Sequence, residues 1–430
     1  MASFGQLFFA PILLLLSARN FYLLMPRPNN YDVLIAGAGP AGLSAALAAA
    51  RGGLRVAVFE RSKEIGYPIH TSGGSWIAAL RALGVPERFM HPIRTGKFIA
   101  SQATASFSYD PPVSCILDVR GLYQFLATQA AQAGAHIFPS AAVERAIMQE
   151  DSPVGLAVRQ HGNFFAPLLI DATGVAGVLA QQMNLCGPMA RYGLGAEYDV
   201  YWPDWPTDTI ALLFGDLAPQ GYGWIFPRGD SRVRIGIGVI HPDTNAEPRH
   251  LLNQLMTQKE IAGYPAPPHA AFEFHLGTIP AAPPLQKTST AGLLVAGDAG
   301  GLISTLLGEG IRFALEVGRM AGETALAAHH AKRFDAFFLS RFDDCWRREY
   351  GNLFTWGFAI NQRLAKYDDA AWNEKINLLA QFPAAAIPAL LQGNLSTPLL
   401  LSLLWRFRQQ FSGKRLLDLH KNIRAPENLL

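Results

Sequence analysis

Hydrophobic residues in this 430-residue chain fall in short blocks punctuated by glycine, and the period of the blocks changes along its length. Residues 32–36 form a short, largely apolar run, followed by Gly37, Gly39 and Gly42. An Ala/Leu-rich stretch over 43–50 then predicts a helix, and 55–59 a second apolar strand ending in Glu60. Apolar and polar residues alternate over 97–109, as an antiparallel strand would have them. Residues 117–120 lead into an amphipathic helix over 121–133, and 134–138 read as a strand. Residues 168–174 predict a buried strand ending at Asp171 and a glycine turn. Between 186 and 284 the chain turns rich in Pro, Trp, Tyr and Phe, with alternating strands at 209–214, 223–226 and 233–240. That pattern predicts a mostly antiparallel sheet with one face lined by aromatics. An apolar strand over 292–296 runs into Gly297-Asp298, and a helix over 311–328 follows. The last hundred residues read as helical.

Both ends depart from this pattern. The apolar run 7–16 is too short to span a membrane and has no positive charge before it. Met25 stands just before the first strand, so a start there competes with a weak membrane anchor at 1–30. The leucine-dense run 399–404 is followed by Arg406, Arg408, Lys414 and Arg415. It reads either as a segment resting on a membrane surface or as a helix capping a pocket. Half of the residues are hydrophobic and 16% charged, so a large core is expected. A net charge of +3 gives no reason to expect nucleic acid. Cys115, Cys186 and Cys345 lie far apart without metal-ligand spacing, which points to a reducing, cytoplasmic setting and no metal.

The glycines carry the first chemical signal. One turns the chain, the next lets a diphosphate approach the backbone, and the third lets helix pack on strand. The helix N-terminus then offers free N–H groups to the phosphate charge. Glu60 lies where a ribose-binding carboxylate is expected. Gly297-Asp298 precedes a second glycine-rich helix start, another anion-friendly site. His70 reads first as a satisfied loop histidine and second as a proton donor. Asp171 is as readily a turn former as a ligand.

GAGPAG with Glu60, Arg120 before a helix, and Gly297-Asp298 stand in one order. Together, over roughly 31–330, they resemble the FAD-dependent oxidoreductases of the aromatic-hydroxylase fold group. The resemblance implies an α/β fold: a Rossmann-like FAD-binding domain (31–185 and 285–330), an antiparallel-sheet substrate domain (186–284) and a helical C-terminal region (331–430). It implies that Gly37, Gly39, Pro40, Ala41 and Gly42 hold the diphosphate. Glu60 and Arg61 would meet the adenosine end, Arg120, Asp171 and Gly174 would lie along the cofactor, and Gly297 and Asp298 would meet the ribityl chain. Gly308, Gly310 and Ile311 would close the flavin end. Within that group, Gly221-Tyr-Gly-Trp-Ile-Phe-Pro-Arg228 is similar to the isoprenoid-pocket stretch of the geranylgeranyl reductases, with Arg228 in place of a lysine. Tyr222, Trp224, Phe226 and Arg228 are therefore expected at the substrate. The loop that often carries Cys-Gly in that family reads Thr71-Ser72-Gly73-Gly74 here, so a thiol role there is missing.

The resemblance implies hydride transfer from reduced FAD to one alkene carbon of an isoprenoid or lipid, with an acid protonating the other. His70, Tyr222 and Glu309 are the candidate acids. NAD(P)H or another reductant would supply electrons, and peripheral membrane contact stays open beside a pocket-capping role for the C-terminal segment. The rival readings are a flavin monooxygenase of the same fold and a flavin- or lipid-binding protein without turnover. A halogenase is disfavoured, because a Trp-x-Trp-x-Ile-Pro stretch is not evident.

Overall fold

The computed structural model describes residues 30–268 and 270–393. The run 7–16, Met25 and the leucine-dense run with its basic residues lie outside the described residues, so the expectations resting on them do too.

Two sheets organise the described chain. The first has six strands in the order Ser289–Thr290, Leu293–Val295, Leu168–Asp171, Val33–Ala36, Val56–Phe59, His136–Phe138. Every pairing is parallel except that of the short Ser289–Thr290 edge. Val33–Ala36, Val56–Phe59 and Leu168–Asp171 are buried along their whole length, as expected where both faces of a parallel sheet are covered. Val33, Ile35, Val56 and Val58 face a helical layer. Leu34, Ala36, Ala57 and Phe59 face a three-stranded antiparallel sheet made by Val143–Gln149, Ser152–Val158 and Gly162–Phe165. In the helical layer Pro40–Arg51 crosses Ile311–Ala331 at very close range. Gly318 and Gly322 permit this, since a Cβ on either would overlap the carbonyl oxygen of Ala41 or Ala45. That approach joins the two glycine motifs in one unit.

The second sheet has seven strands in the order Ala271–Pro280, Tyr192–Tyr201, Arg232–His241, Gly221–Pro227, Thr209–Leu213, Thr95–Ile99, Thr104–Ser108. All neighbours are antiparallel except Thr209–Leu213 beside Thr95–Ile99. The run 97–109, expected as one strand, is a hairpin broken at residues 100–103, and it extends this sheet beyond the 186–284 segment. One face packs Ala196, Val200, Ile235 and Ile237 with Trp202 and helix Pro248–Met256. The other face is covered by C-terminal helices, with Trp372 of Asp369–Leu379 stacked on Phe214 at 4.3 Å between ring centroids. No helix among the described residues is long and apolar enough to cross a membrane.

Candidate active site

A cavity of about 510 Å³ opens at the carboxyl ends of the parallel strands. Its wall begins with the first glycine turn. Gly37 has φ +99°, and a Cβ there would overlap the carbonyl oxygen of Ala172. A Cβ on Gly42 would overlap the carbonyl oxygen of Gly37, so this glycine seats the helix on the turn. Gly39, by contrast, has open space where its Cβ would stand, and it lines the cavity. It is also the N-cap of Pro40–Arg51 and offers no side chain to the helix N–H groups. Those donors are therefore left for an anion. The second strand delivers Glu60 to the rim. Its Oε2 accepts from the Ala38 amide at 2.9 Å and its Oε1 from the Ser62 amide at 2.8 Å. Each oxygen keeps a lone pair for a further donor.

Opposite stands the second motif. Gly297 (φ +69°) and Asp298 follow strand Leu293–Val295 and line the cavity with Gly308, Gly310 and Ile311. Gly310 leaves helix Ile311–Ala331 without a side-chain cap, so a second uncapped N-terminus faces the same space. Burial pushes the Asp298 carboxyl up to about 6. No hydrogen bond to it from another described residue is found to offset that penalty. The wall thus has a bare backbone and two helix N-termini for a diphosphate, a held carboxylate for a ribose, and a desolvated carboxyl for a hydroxyl-bearing chain. These residues fit FAD.

A second cavity of about 370 Å³ lies on the covered face of the seven-stranded sheet and is lined mainly by apolar side chains. Its floor exists because three glycines stand in one row, Gly238, Gly195 and Gly277, on three neighbouring strands. The Trp224 ring lies against Gly195, Gly236 and Gly238, and its indole N–H donates to Glu197 Oε2 at 2.6 Å. Tyr222 donates its O–H to the Leu307 carbonyl at 2.6 Å, and burial pushes its pKa up to about 12. Helices of the C-terminal region close the other side through Trp356, Ile360, Trp372 and Ile376. His70, Thr71, Ile279 and Gly308 line both cavities, so the two spaces adjoin there.

Comparison with known proteins gives the family. Residues 32–184 match the FAD dependent oxidoreductase family, and 194–265 match the geranylgeranyl reductase catalytic domain. The chain is 32% identical over 333 residues to digeranylgeranylglycerophospholipid reductase 2 of Methanothermobacter thermautotrophicus, covering 75% of this chain and 84% of that protein. The chain belongs to the geranylgeranyl reductase family of FAD-dependent oxidoreductases. Its cofactor is FAD, and its relatives are named as reductases rather than monooxygenases. A further relative, digeranylgeranylglycerophospholipid reductase 2 of Methanopyrus kandleri, is 27% identical over 367 residues, 82% of this chain and 90% of that one. The fold is shared with a geranylgeranyl bacteriochlorophyll reductase-like protein from Thermoplasma acidophilum (TM-score 0.78, 20% identity, 87% of this chain and 96% of that one). It is shared more distantly with a probable FAD-dependent monooxygenase from Pseudomonas aeruginosa (TM-score 0.61, 15% identity, 81% of this chain and all of that one).

Several residues expected at the site stand elsewhere. Asp171 is fully buried and lines neither cavity. Its Oδ1 accepts from the Thr173 amide and hydroxyl at 3.0 and 2.6 Å, and its Oδ2 from the Leu179 and Ala180 amides at 2.8 Å each. It organises the turn that presents Gly174 to the cofactor cavity. Arg120 does not line that cavity either. It donates from Nε to Glu64 at 2.6 Å and so braces a residue that does. Glu309 lines neither space; its carboxylate accepts from Arg312 Nε (2.8 Å) and Ser75 Oγ (3.1 Å). Phe226 and Arg228 also lie outside the apolar cavity. Their strand outruns it: Phe226 packs on Gly74, and Arg228 pairs with Asp199 at 2.7 Å. His70 borders both cavities but is exposed, with Nδ1 at 2.9 Å from the Leu276 carbonyl. The Ser72 carbonyl accepts from Arg234 Nη1 at 2.7 Å, which ties the loop that lacks the cysteine to the substrate sheet. The residues missed from sequence are the glycine row and the pair Glu197 and His275, both of which line the apolar cavity. Glycines at alternate positions of a strand, costly unless something needs the room, were the available signal.

Proposed function

We propose that this protein saturates C=C bonds in the isoprenoid chain of a lipid, held in the apolar cavity, at the expense of FAD reduced by an external donor. The observation that carries this reading is the meeting of the two cavities at His70, Thr71, Ile279 and Gly308. A chain entering the apolar space ends against the place where the flavin end of the cofactor cavity opens. Bound FAD, once reduced, supplies a hydride to one alkene carbon. The protein's part is placement. Gly37, Gly39, Pro40 and Ala41 would hold the diphosphate, Glu60 and Arg61 the adenosine end, and Gly297 and Asp298 the ribityl chain. Tyr222 and Trp224 would wall the lipid, and the helices within 352–391 would cover it. Each buried CH₂ favours binding by about 0.8 kcal/mol, so affinity is set by chain length. The names of its relatives support an isoprenoid lipid as substrate.

The test is anaerobic incubation of the FAD-loaded protein with dithionite and a geranylgeranyl ether lipid, followed by mass spectrometry. Products gaining two hydrogens per reduced bond are expected. An unchanged lipid across chain lengths would contradict the reading.

Asp298 gives the cofactor assignment a pH signature. Its pKa is raised in the free protein, so its ionisation costs the fold stability as pH rises from 3.8 through about 6. Ribityl hydroxyls donating to the carboxylate favour the charged form. FAD affinity is therefore expected to rise as pH increases toward about 6 and to level off above it, by roughly tenfold in all for each pKa unit that binding removes. Asp298→Asn should flatten this dependence. Fluorescence titration of apoprotein between acid and neutral pH reads both, and an equally flat wild-type curve would exclude Asp298 from the ribityl contact.

A further inference from the structure

The cavity face of the seven-stranded sheet carries a group of ionisable side chains that the reaction above leaves without a task. Glu197 and His275 are buried, stand directly opposite each other on neighbouring strands, and both line the apolar cavity. Nδ1 of His275 lies 2.8 Å from Glu197 Oε1, and Nε2 lies 2.9 Å from Glu273 Oε2. Glu273, two residues earlier on the same face, is 34% exposed. The pair sits one pleat repeat, about 7 Å, from Gly195 and Gly277. Gly277 packs beneath His70, at the junction of the cavities.

We propose that Glu197 and His275 supply the proton of the reduction, with Glu197 passing it to the substrate carbon and Glu273 acting as the positioning residue. The inference rests on the alkene-reducing function proposed above. In that reaction the alkene gains two electrons as hydride from the reduced flavin, which is oxidised by two electrons. The second carbon needs a proton, which an ionisable side chain lining the mainly apolar cavity can supply. The Nδ1–H bond of His275 breaks, the proton crosses Oε1 of Glu197, and a C–H bond forms. Neutral His275 remains as the Nε2–H tautomer held by Glu273, and water restores the proton when product leaves.

The other ionisable groups lining the apolar cavity are worse placed. Tyr222 binds the Leu307 carbonyl and holds its proton to about 12. Lys375, on an outer helix, pairs with Glu374 at 2.5 Å. His70 is exposed and bonded to the Leu276 carbonyl. The surroundings of the pair favour a protonated histidine beside a carboxylate. Burial alone would drive His275 down, but its bonds to Glu197 and Glu273 raise it above the ordinary histidine value, against the opposing charge of Arg234. Burial would drive Glu197 up, but His275, Arg234 and the Trp224 N–H lower it. Arg232 bridges Glu273 at 3.0 Å and Asp199 at 2.9 Å, Arg228 pairs with Asp199, and Arg234 Nε lies 3.7 Å from Glu197. A raised imidazolium keeps its proton below its pKa and loses it as pH climbs through that value, so the reaction should fail on the alkaline side.

Single-turnover reaction of the reduced holoenzyme with a geranylgeranyl ether lipid, across pH and without oxygen, tests this. Glu197→Gln and His275→Gln are expected to slow product formation by roughly 100-fold or more while FAD and lipid still bind. Glu273→Gln, at the solvent end, should keep most of the rate at acid pH and move the alkaline limb to lower pH, and imidazole NMR titration should show the same downward shift for His275. If the limb and the NMR titration stay in place, or if rate falls only in proportion to lost lipid affinity, the pair is structural and the proposal is overturned. A wild-type enzyme that leaves every isoprenoid bond intact overturns the proposed function itself, and this role with it. Wild-type reduction with an unmoved Glu273→Gln limb overturns the pair alone.

Discussion

Gly42→Ala and Gly37→Ala proteins are expected to retain no FAD through purification. At Gly42 a methyl group would overlap the carbonyl oxygen of Gly37, and at Gly37 it would overlap that of Ala172. Both neighbours are backbone, so no rotamer relieves the clash, and the turn or the adjoining strand Leu168–Asp171 must move. Gly37 also adopts φ +99°, which disfavours any side chain. Overpacking and strain together cost about 3 kcal/mol or more. If the turn moves to relieve them, FAD affinity falls by roughly 100-fold or more. Gly39→Ala separates packing from binding. Its methyl meets no protein atom and projects where the phosphates would sit. That protein should unfold at the wild-type denaturant midpoint yet bind FAD weakly in a fluorescence titration. Wild-type affinity in Gly39→Ala would mean that the diphosphate lies elsewhere.

Asp171→Ala is expected to destabilise the protein by about 3–5 kcal/mol even without flavin. The carboxylate is fully buried and accepts four hydrogen bonds, two of them from the amides of Leu179 and Ala180 in helix Val178–Gln182. Alanine strands all four donors. Asparagine does little better, because its N–H₂ would face amides that also donate. Urea denaturation of the apoprotein reads this directly. A direct cofactor ligand would behave in the opposite way, losing FAD while the apoprotein kept its stability.

The contrast between these residues shows what the chain discloses about its own structure. The glycine turn was legible because its requirement is local: strand, bare backbone and helix are consecutive. An acid at the end of a parallel strand is ambiguous, since it can face the cavity or the amides of the next helix. Glu60 faces the rim, while Asp171 turns to residues 173–180. Tyr222 and Trp224 were expected at the substrate from the resemblance of their stretch to the geranylgeranyl reductases, but a motif does not say where a cavity stops, and Phe226 lies past its end. Glu309 could not be judged without knowing that Arg312, in the first turn of the helix that follows it, would claim it. The cavity floor was hidden for a different reason. Gly195, Gly238 and Gly277 form a row only once three strands far apart in sequence are in register. The same holds for Glu197 and His275, 78 residues apart.

Two cavities meet at His70, Thr71, Ile279 and Gly308, so that a reduced flavin in one would act on a lipid in the other. The most direct test is to reduce the bound FAD without oxygen, remove the reductant, and add a geranylgeranyl ether lipid while following flavin absorbance. The expected result is return of the oxidised flavin spectrum at the rate at which saturated lipid forms, one bond reduced per flavin. A flavin that stays reduced with the lipid and reoxidises only when oxygen is admitted would contradict it.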